Sequence, residues 1–308
     1  MKKLILSVAV CLSATVSAQQ FKVVSLQEVN SGTEMPTFHP RFMPDGKSLM
    51  VCSENYQGLG IIDVENSKYT HLTDMVGAGY KAAISDDGKS IITRNMDLIE
   101  QRETLYSLDI ATKSLTTLAT DIEHVNTINV SGRDYEIGIN GKLLRRSMDG
   151  NRSIKSIPSG DVMVTEEDLK MVVYIDGVRN VVDPVSTPEH DVNYCWTSLS
   201  PNKEKLLFVA GNDAYVSNLD GSALVCLGAI HAPVWRGNDY VVAMEDHDDG
   251  HVFTASDIVI VRANGSDYQK LQGNNEEINM FPSVSPDGNR IAYHTLDGKI
   301  YIMTIEEE

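Results

Sequence analysis

The chain has 308 residues, with 43 Asp and Glu against 26 Lys and Arg, for a formal charge of −17 at pH 7. That acidic excess sets up a long-range repulsion against nucleic acid, anionic lipid and polyanionic sugars, and so argues against such partners. None of the four cysteines has zinc-site spacing, and no segment approaches the length of an apolar membrane span.

In chain order, the first signal is a leader. Lys2 and Lys3 precede a mostly apolar run from Leu4 to Val16, and Val16-Ser17-Ala18 supplies small residues for cleavage after Ala18. Residues 1–18 therefore read as a secretory signal peptide, and the expected location is periplasmic or extracellular. Losing Lys2 and Lys3 leaves 24 basic residues against 43 acidic ones, a charge of −19. Cys52, Cys195 and Cys226 remain, an odd number for an oxidising compartment.

Phe21 to Val29 (FKVVSLQEV) is an orphan strand. Seven similar units then follow. The first begins at Pro40 (PRFMPDGKSLMVCS, LGIIDVE, KYTHLT), and the second at Lys81 (KAAISDDGKSIITR, ETLYSLDI, SLTTLAT). Fainter copies start at Asn126, Val162, Cys195 and Pro233, and the clearest closes the chain from Phe281 (FPSVSPDGNRIAYHTLDGKIYIMTI). Each reads as strand, tight turn, alternating strand, short turn, alternating strand. The starts lie roughly 35 to 50 residues apart, the period of a four-stranded propeller blade.

Each unit can bury a face only against its neighbours, so a closed ring is expected. The fold is thus all-β, a single β-propeller spanning residues 19–308. Seven blades are favoured; six would result if two middle units merged. The outer strand of the fourth unit is hard to find. The last unit runs out of chain after three strands, and Phe21 to Val29 is expected to pair with Lys299 to Ile305 and close the ring.

Ser285-Pro286-Asp287-Gly288, followed by Arg290-Ile291-Ala292-Tyr293 and Lys299 to Met303, resembles the TolB-like propeller repeat. Pro44-Asp45-Gly46 and Asp86-Asp87-Gly88 match the same turn. The resemblance implies fold and export. In that family the turn builds the blade, so no active-site residue carries across.

The enzyme classes that use such propellers leave little trace. No Gly-x-Ser-x-Gly nucleophile elbow occurs. Glycosidases need a convergent carboxylate pair, which cannot be singled out among 43 acids. Oligogalacturonate lyases resemble this architecture, but their substrate is polyanionic. The densest polar cluster is Glu245 to His251. Asp246, Asp248 and Asp257 fall at the first, third and twelfth positions of a calcium-loop pattern, which breaks where His251 replaces glycine. Asp246, His247, Asp248, His251 and Asp257 are the metal candidates, as ligands for a divalent ion; no cofactor is otherwise implied.

A second candidate is a ligand-binding face. His39, His124, His190 and His231 lie in or beside the connections between blades, and His294 ends a strand entering a middle hairpin. Acidic surroundings are expected to raise their pKa values. Trp196, Trp235, Phe42 and Phe281 lie in inner strands and read as packing between blades. The three thiols are expected to be free, buried and apolar in behaviour, since Cys195 and Cys226 lie too far apart to bridge.

The functional expectation is a non-enzymatic binding or scaffold protein that presents one loop face to a protein or peptide partner and acts as a monomer. The alternatives are a metal-dependent hydrolase or lyase, and a cation or small-molecule sensor, both using the histidine-bearing face.

Overall fold

A computed structural model describes residues 21–308 apart from 124, 126, 140–141, 149–151, 154–159, 188 and 272–276. The chain is a seven-bladed β-propeller. Strand β1 (Phe21–Glu28) comes first. Blade one holds β2 (Phe38–Phe42), β3 (Ser48–Cys52), β4 (Leu59–Asp63) and β5 (Lys68–Thr73). Blade two holds β6 (Ala83–Ile84), β7 (Ser90–Asp97), β8 (Arg102–Asp109) and β9 (Leu115–Ile122). Blade three holds β10 (Ile128–Ser131), β11 (Asp134–Ile139), β12 (Lys142–Ser147) and β13 (Arg152–Ser153).

Blade four has three strands among the described residues: β14 (Val162–Glu167), β15 (Lys170–Ile175) and β16 (Val178–Val182). Blade five holds β17 (Tyr194–Leu199), β18 (Lys205–Ala210), β19 (Asp213–Asn218) and β20 (Val225–Gly228). Blade six holds β21 (His231–Arg236), β22 (Tyr240–Asp248), β23 (Phe253–Arg262) and β24 (Gln269–Leu271). Blade seven holds β25 (Asn279–Val284), β26 (Arg290–Thr295) and β27 (Ile300–Glu307), with β1 as its outer strand.

The Asp-Gly turns explain the regularity of the strong repeats. The Asp45 carboxylate accepts from the Lys47 and Ser48 amides at 2.7 and 2.9 Å, and Gly46 takes the left-handed φ of 65° that closes the turn. The turn after β6 is built alike, with the Ser85 hydroxyl donating to Asp87 at 2.7 Å, and Ser285 donates to Asp287 in the turn after β25. One face of the ring carries these turns. The other carries the blade-to-blade crossovers and the middle hairpins.

Closure follows the sequence expectation. β1 runs antiparallel to β27 from Phe21 opposite Glu307 to Glu28 opposite Tyr301. Every blade-to-blade junction has its own apolar cluster. Tyr240, Val242 and Ile260 meet Ile291, Tyr293 and Met303 between blades six and seven. Val51 and Ile62 meet Ala292 and Ile302 between seven and one. Among the described residues the smallest cluster joins blades three and four, where Met163, Val172 and Tyr174 pack with Leu143.

Blade four corrects the sequence reading in one respect. Asp161, just ahead of β14, lies 3.5 Å from Lys203 in the turn after β17. Leu169, just after β14, accepts the amide of Tyr194 at the start of β17. β14 therefore runs in the direction of a second strand, although it borders the channel.

The cysteines are free, as expected, but only Cys52 is buried; Cys195 and Cys226 are exposed. Cys195 opens onto the central channel instead of packing between blades.

Candidate functional site

The inner strands share a local irregularity that shapes the channel. In β2, β17, β21 and β25 the register slips by one residue near the crossover end. Inside each slip one residue takes a left-handed backbone: His39 (φ 52°), Trp196 (φ 49°), Ala232 (φ 45°) and Phe281 (φ 51°). Lys81 (φ 48°) does the same just before β6. Bulky residues rarely adopt this conformation, which costs about 1–3 kcal/mol each, and a bulge re-aims the side chains that flank it. Pro40, Pro233 and Pro282 follow three of these residues, at positions where a missing amide hydrogen is tolerated by the interrupted ladder.

The consequence is a cavity of about 560 Å³ at the crossover mouth of the channel. His39, Tyr56, Tyr80, Trp196, Trp235 and Phe281 supply its aromatic wall. Tyr56 comes from the β3–β4 loop and Tyr80 from the β5–β6 crossover. The His39 ring stacks on Tyr56 at 4.1 Å and meets Phe281 edge-on at 4.5 Å and His294 at 4.9 Å. Burial pushes the His39 imidazole down to about 3, helped by the neighbouring His294, and burial pushes His294 down to about 4. Both are neutral, aromatic wall material at neutral pH. The expected rise in histidine pKa is reversed for these two because desolvation outweighs the acidic surface.

Three charged groups reach this cavity. Lys81 Nζ pairs with Glu166 at 2.7 Å, and Glu166 also accepts from the amide and hydroxyl of Thr197. Arg41 lies deeper, where the mouth continues into the channel. Cys195 borders the same space, and desolvation pushes its thiol up to about 11, which favours the protonated form.

Of the histidine face, the structure brings His39 and His294 into contact. It sets His231 beside the mouth, with Nδ1 2.6 Å from Asp246 and its ring 5.9 Å from that of Trp196. His190 is exposed in the β16–β17 connection, bridged to Thr187. His124 lies outside the described residues, as does the leader.

The three carboxylates among the metal candidates are held by separate partners. Asp246 faces His231, and Asp257 pairs with Lys270 at 3.2 Å. Asp248 accepts the Gly250 amide within the β22–β23 hairpin, while His247 and His251 are exposed. Among the described residues, no three His, Cys, Asp or Glu side chains converge as metal ligands would.

A second cavity, of about 390 Å³, occupies the channel towards the turn face. It contains the carboxyl pair that composition alone could not single out. Glu136 on β11 shares a hydrogen bond with Asp161, and burial together with that neighbour raises its pKa. Arg145 lies 3.0 Å from each carboxyl, and Lys203 lies 3.5 Å from Asp161. These cations clamp the pair between blades three and four, a joint more than a free general base.

The aromatic mouth is what sequence reasoning missed. Phe42 does pack between blades, as expected. Trp235 and Phe281 also pack against the clusters between blades five and six and between six and seven, yet both border the channel, and Trp196 lines it with 39 % exposure. The usable signal was positional: His39, Lys81, Trp196, Ala232 and Phe281 recur at one point of the repeat, three of them just before proline.

No family model and no curated protein matches this chain.

Proposed function

We propose that this chain is an exported, non-enzymatic binding module of the TolB-like kind that captures a protein or peptide at its crossover face. The observation that carries the reading is the aromatic mouth. Strained bulges in successive inner strands hold its wall in place before any ligand arrives, and such preorganisation lowers the ordering cost of binding. Its volume suits one or two side chains of a peptide, and aromatic walls with a few polar groups are the usual make-up of a ligand pocket. The signal-like leader and the repeat resemblance support export and the family.

A synthetic peptide array probed with the purified protein tests this. Selected peptides are expected to lose at least about tenfold in affinity for the Trp196→Ala variant, in keeping with the loss of an aromatic anchor. Selected peptides that bind wild type and Trp196→Ala equally would place binding elsewhere and defeat the proposal.

A further inference from the structure

We infer that the mouth cavity binds a carboxylate carried on an apolar or aromatic body, with Arg41 as its anion anchor, and that the natural source is the C-terminal residue of a peptide. The inference rests on the binding-module reading and deepens it by naming the chemistry recognised.

Arg41 is the second residue past the bulge of β2 and borders both channel cavities. One of its guanidinium nitrogens donates to the Ala82 carbonyl of the next blade. No carboxylate pairs with it among the described residues. Its surface is accessible, yet that surface lies inside the channel and is ringed by protein. Burial accordingly pulls its pKa down, with no acidic neighbour offsetting the shift. A guanidinium carries five N–H donors, and it stays charged even when desolvated. An enclosed cation lacking a counter-ion is costly, and a ligand carboxylate that pairs with it removes that cost.

The rest of the cavity fits this polarity. Lys81 is already neutralised by Glu166, and the nearby imidazoles of His39 and His294 are uncharged. The described lining thus carries two cations against one carboxylate, a local positive excess inside a chain of net charge −17. An anion that reaches the channel finds a cation there, while the aromatic wall above accepts its apolar part. Capture of a terminal carboxylate is an established mode of peptide recognition.

The chain has two tryptophans, and both line this cavity, so intrinsic tryptophan fluorescence reports its occupancy directly. Three probes are titrated: N-acetylphenylalanine, its C-terminal amide and 3-phenylpropanoate. The acid is expected to give a saturable change and to bind at least about tenfold tighter than the amide, the ratio a charge-assisted bond supplies. Arg41→Gln is expected to erase that preference, and Arg41→Lys to retain part of it. Acid and amide binding wild type equally would overturn the carboxylate assignment and leave the aromatic-mouth reading standing. No saturable response to any of the three would overturn it too. Tighter binding of 3-phenylpropanoate than of N-acetylphenylalanine would overturn the peptide source in favour of a free apolar acid. The amide comparison needs no variant, so misfolding of Arg41→Gln cannot mask the result.

Discussion

His39 and His294 show how one residue type serves opposite ends. Histidine is the side chain most easily charged near neutrality, yet burial among Phe38, Tyr56 and Phe281 makes these two behave as aromatic packing. Their pKa values, about 3 and about 4, lie below the ordinary 6.5. The unfolded chain therefore binds more protons as pH falls below 6.5, so the stability these groups contribute is present above 6.5 and is lost towards pH 4. Thermal melts at pH 7 and pH 4.5 should show wild type losing more than His39→Asn, which cannot titrate and tolerates the left-handed backbone. A difference of at least about 3 °C is expected; equal losses would contradict it. At this scale the sequence was only partly informative. His39 and His294 were legible as members of one face because the repeat places them at matching strand ends. That Trp196, Trp235 and Phe281 turn inward was not legible, because strand alternation assigns faces only where the register is unbroken, and each inner strand concerned is bulged.

Strand β1 is the element on which closure depends. Read alone it is an ordinary alternating segment; its importance comes from the three-stranded unit at the far end of the chain. Phe21 is 3 % exposed, sits edge-on to Tyr240 at 4.9 Å, and lies under the Arg236 guanidinium at 4.6 Å. Its amide donates to the Gln269 side chain, which donates back to the Phe21 carbonyl at 2.6 Å. β1 thus ties blade seven to blade six as well as closing the ring. Phe21→Ala is expected to destabilise the fold by about 3–5 kcal/mol in a denaturant titration, as for other buried aromatics. A loss below about 1 kcal/mol would show that the strand ornaments a ring already closed. The repeat grammar made this latch predictable, since an unpaired edge and a spare strand specify each other. It left blade four obscure because only three of its strands stand among the described residues, and β14 runs in the direction of a second strand.

Across the whole molecule, seven junctions share one ring, and among the described residues the junction between blades three and four is the least apolar. A buried ionic network stands where the other junctions have larger hydrophobic clusters: Glu136 and Asp161, clamped by Arg145 and Lys203. Two carboxyls so close cannot both ionise cheaply, and Glu136, 7 % exposed, rises from its ordinary 4.5 to about 7. The sign is opposite to that of the histidines. The folded state holds this proton more tightly than the unfolded chain does, so the contribution is fully present below about pH 4.5 and is lost as pH rises through about 7. Glu136→Gln mimics the protonated side chain at every pH. Relative to wild type, the variant should be near neutral at pH 4.5 and more stable at pH 8, by an amount on the order of 1–3 kcal/mol. Denaturant titrations at the two pH values check this. A variant less stable than wild type at pH 8 would mean that the ionised carboxylate, paired with Arg145, is what holds the joint. Since a closed ring opens at its weakest junction, the loss of the Glu136 proton is expected to quicken hydrogen exchange at pH 8 first in β14 and β15, and Glu136→Gln to slow it again.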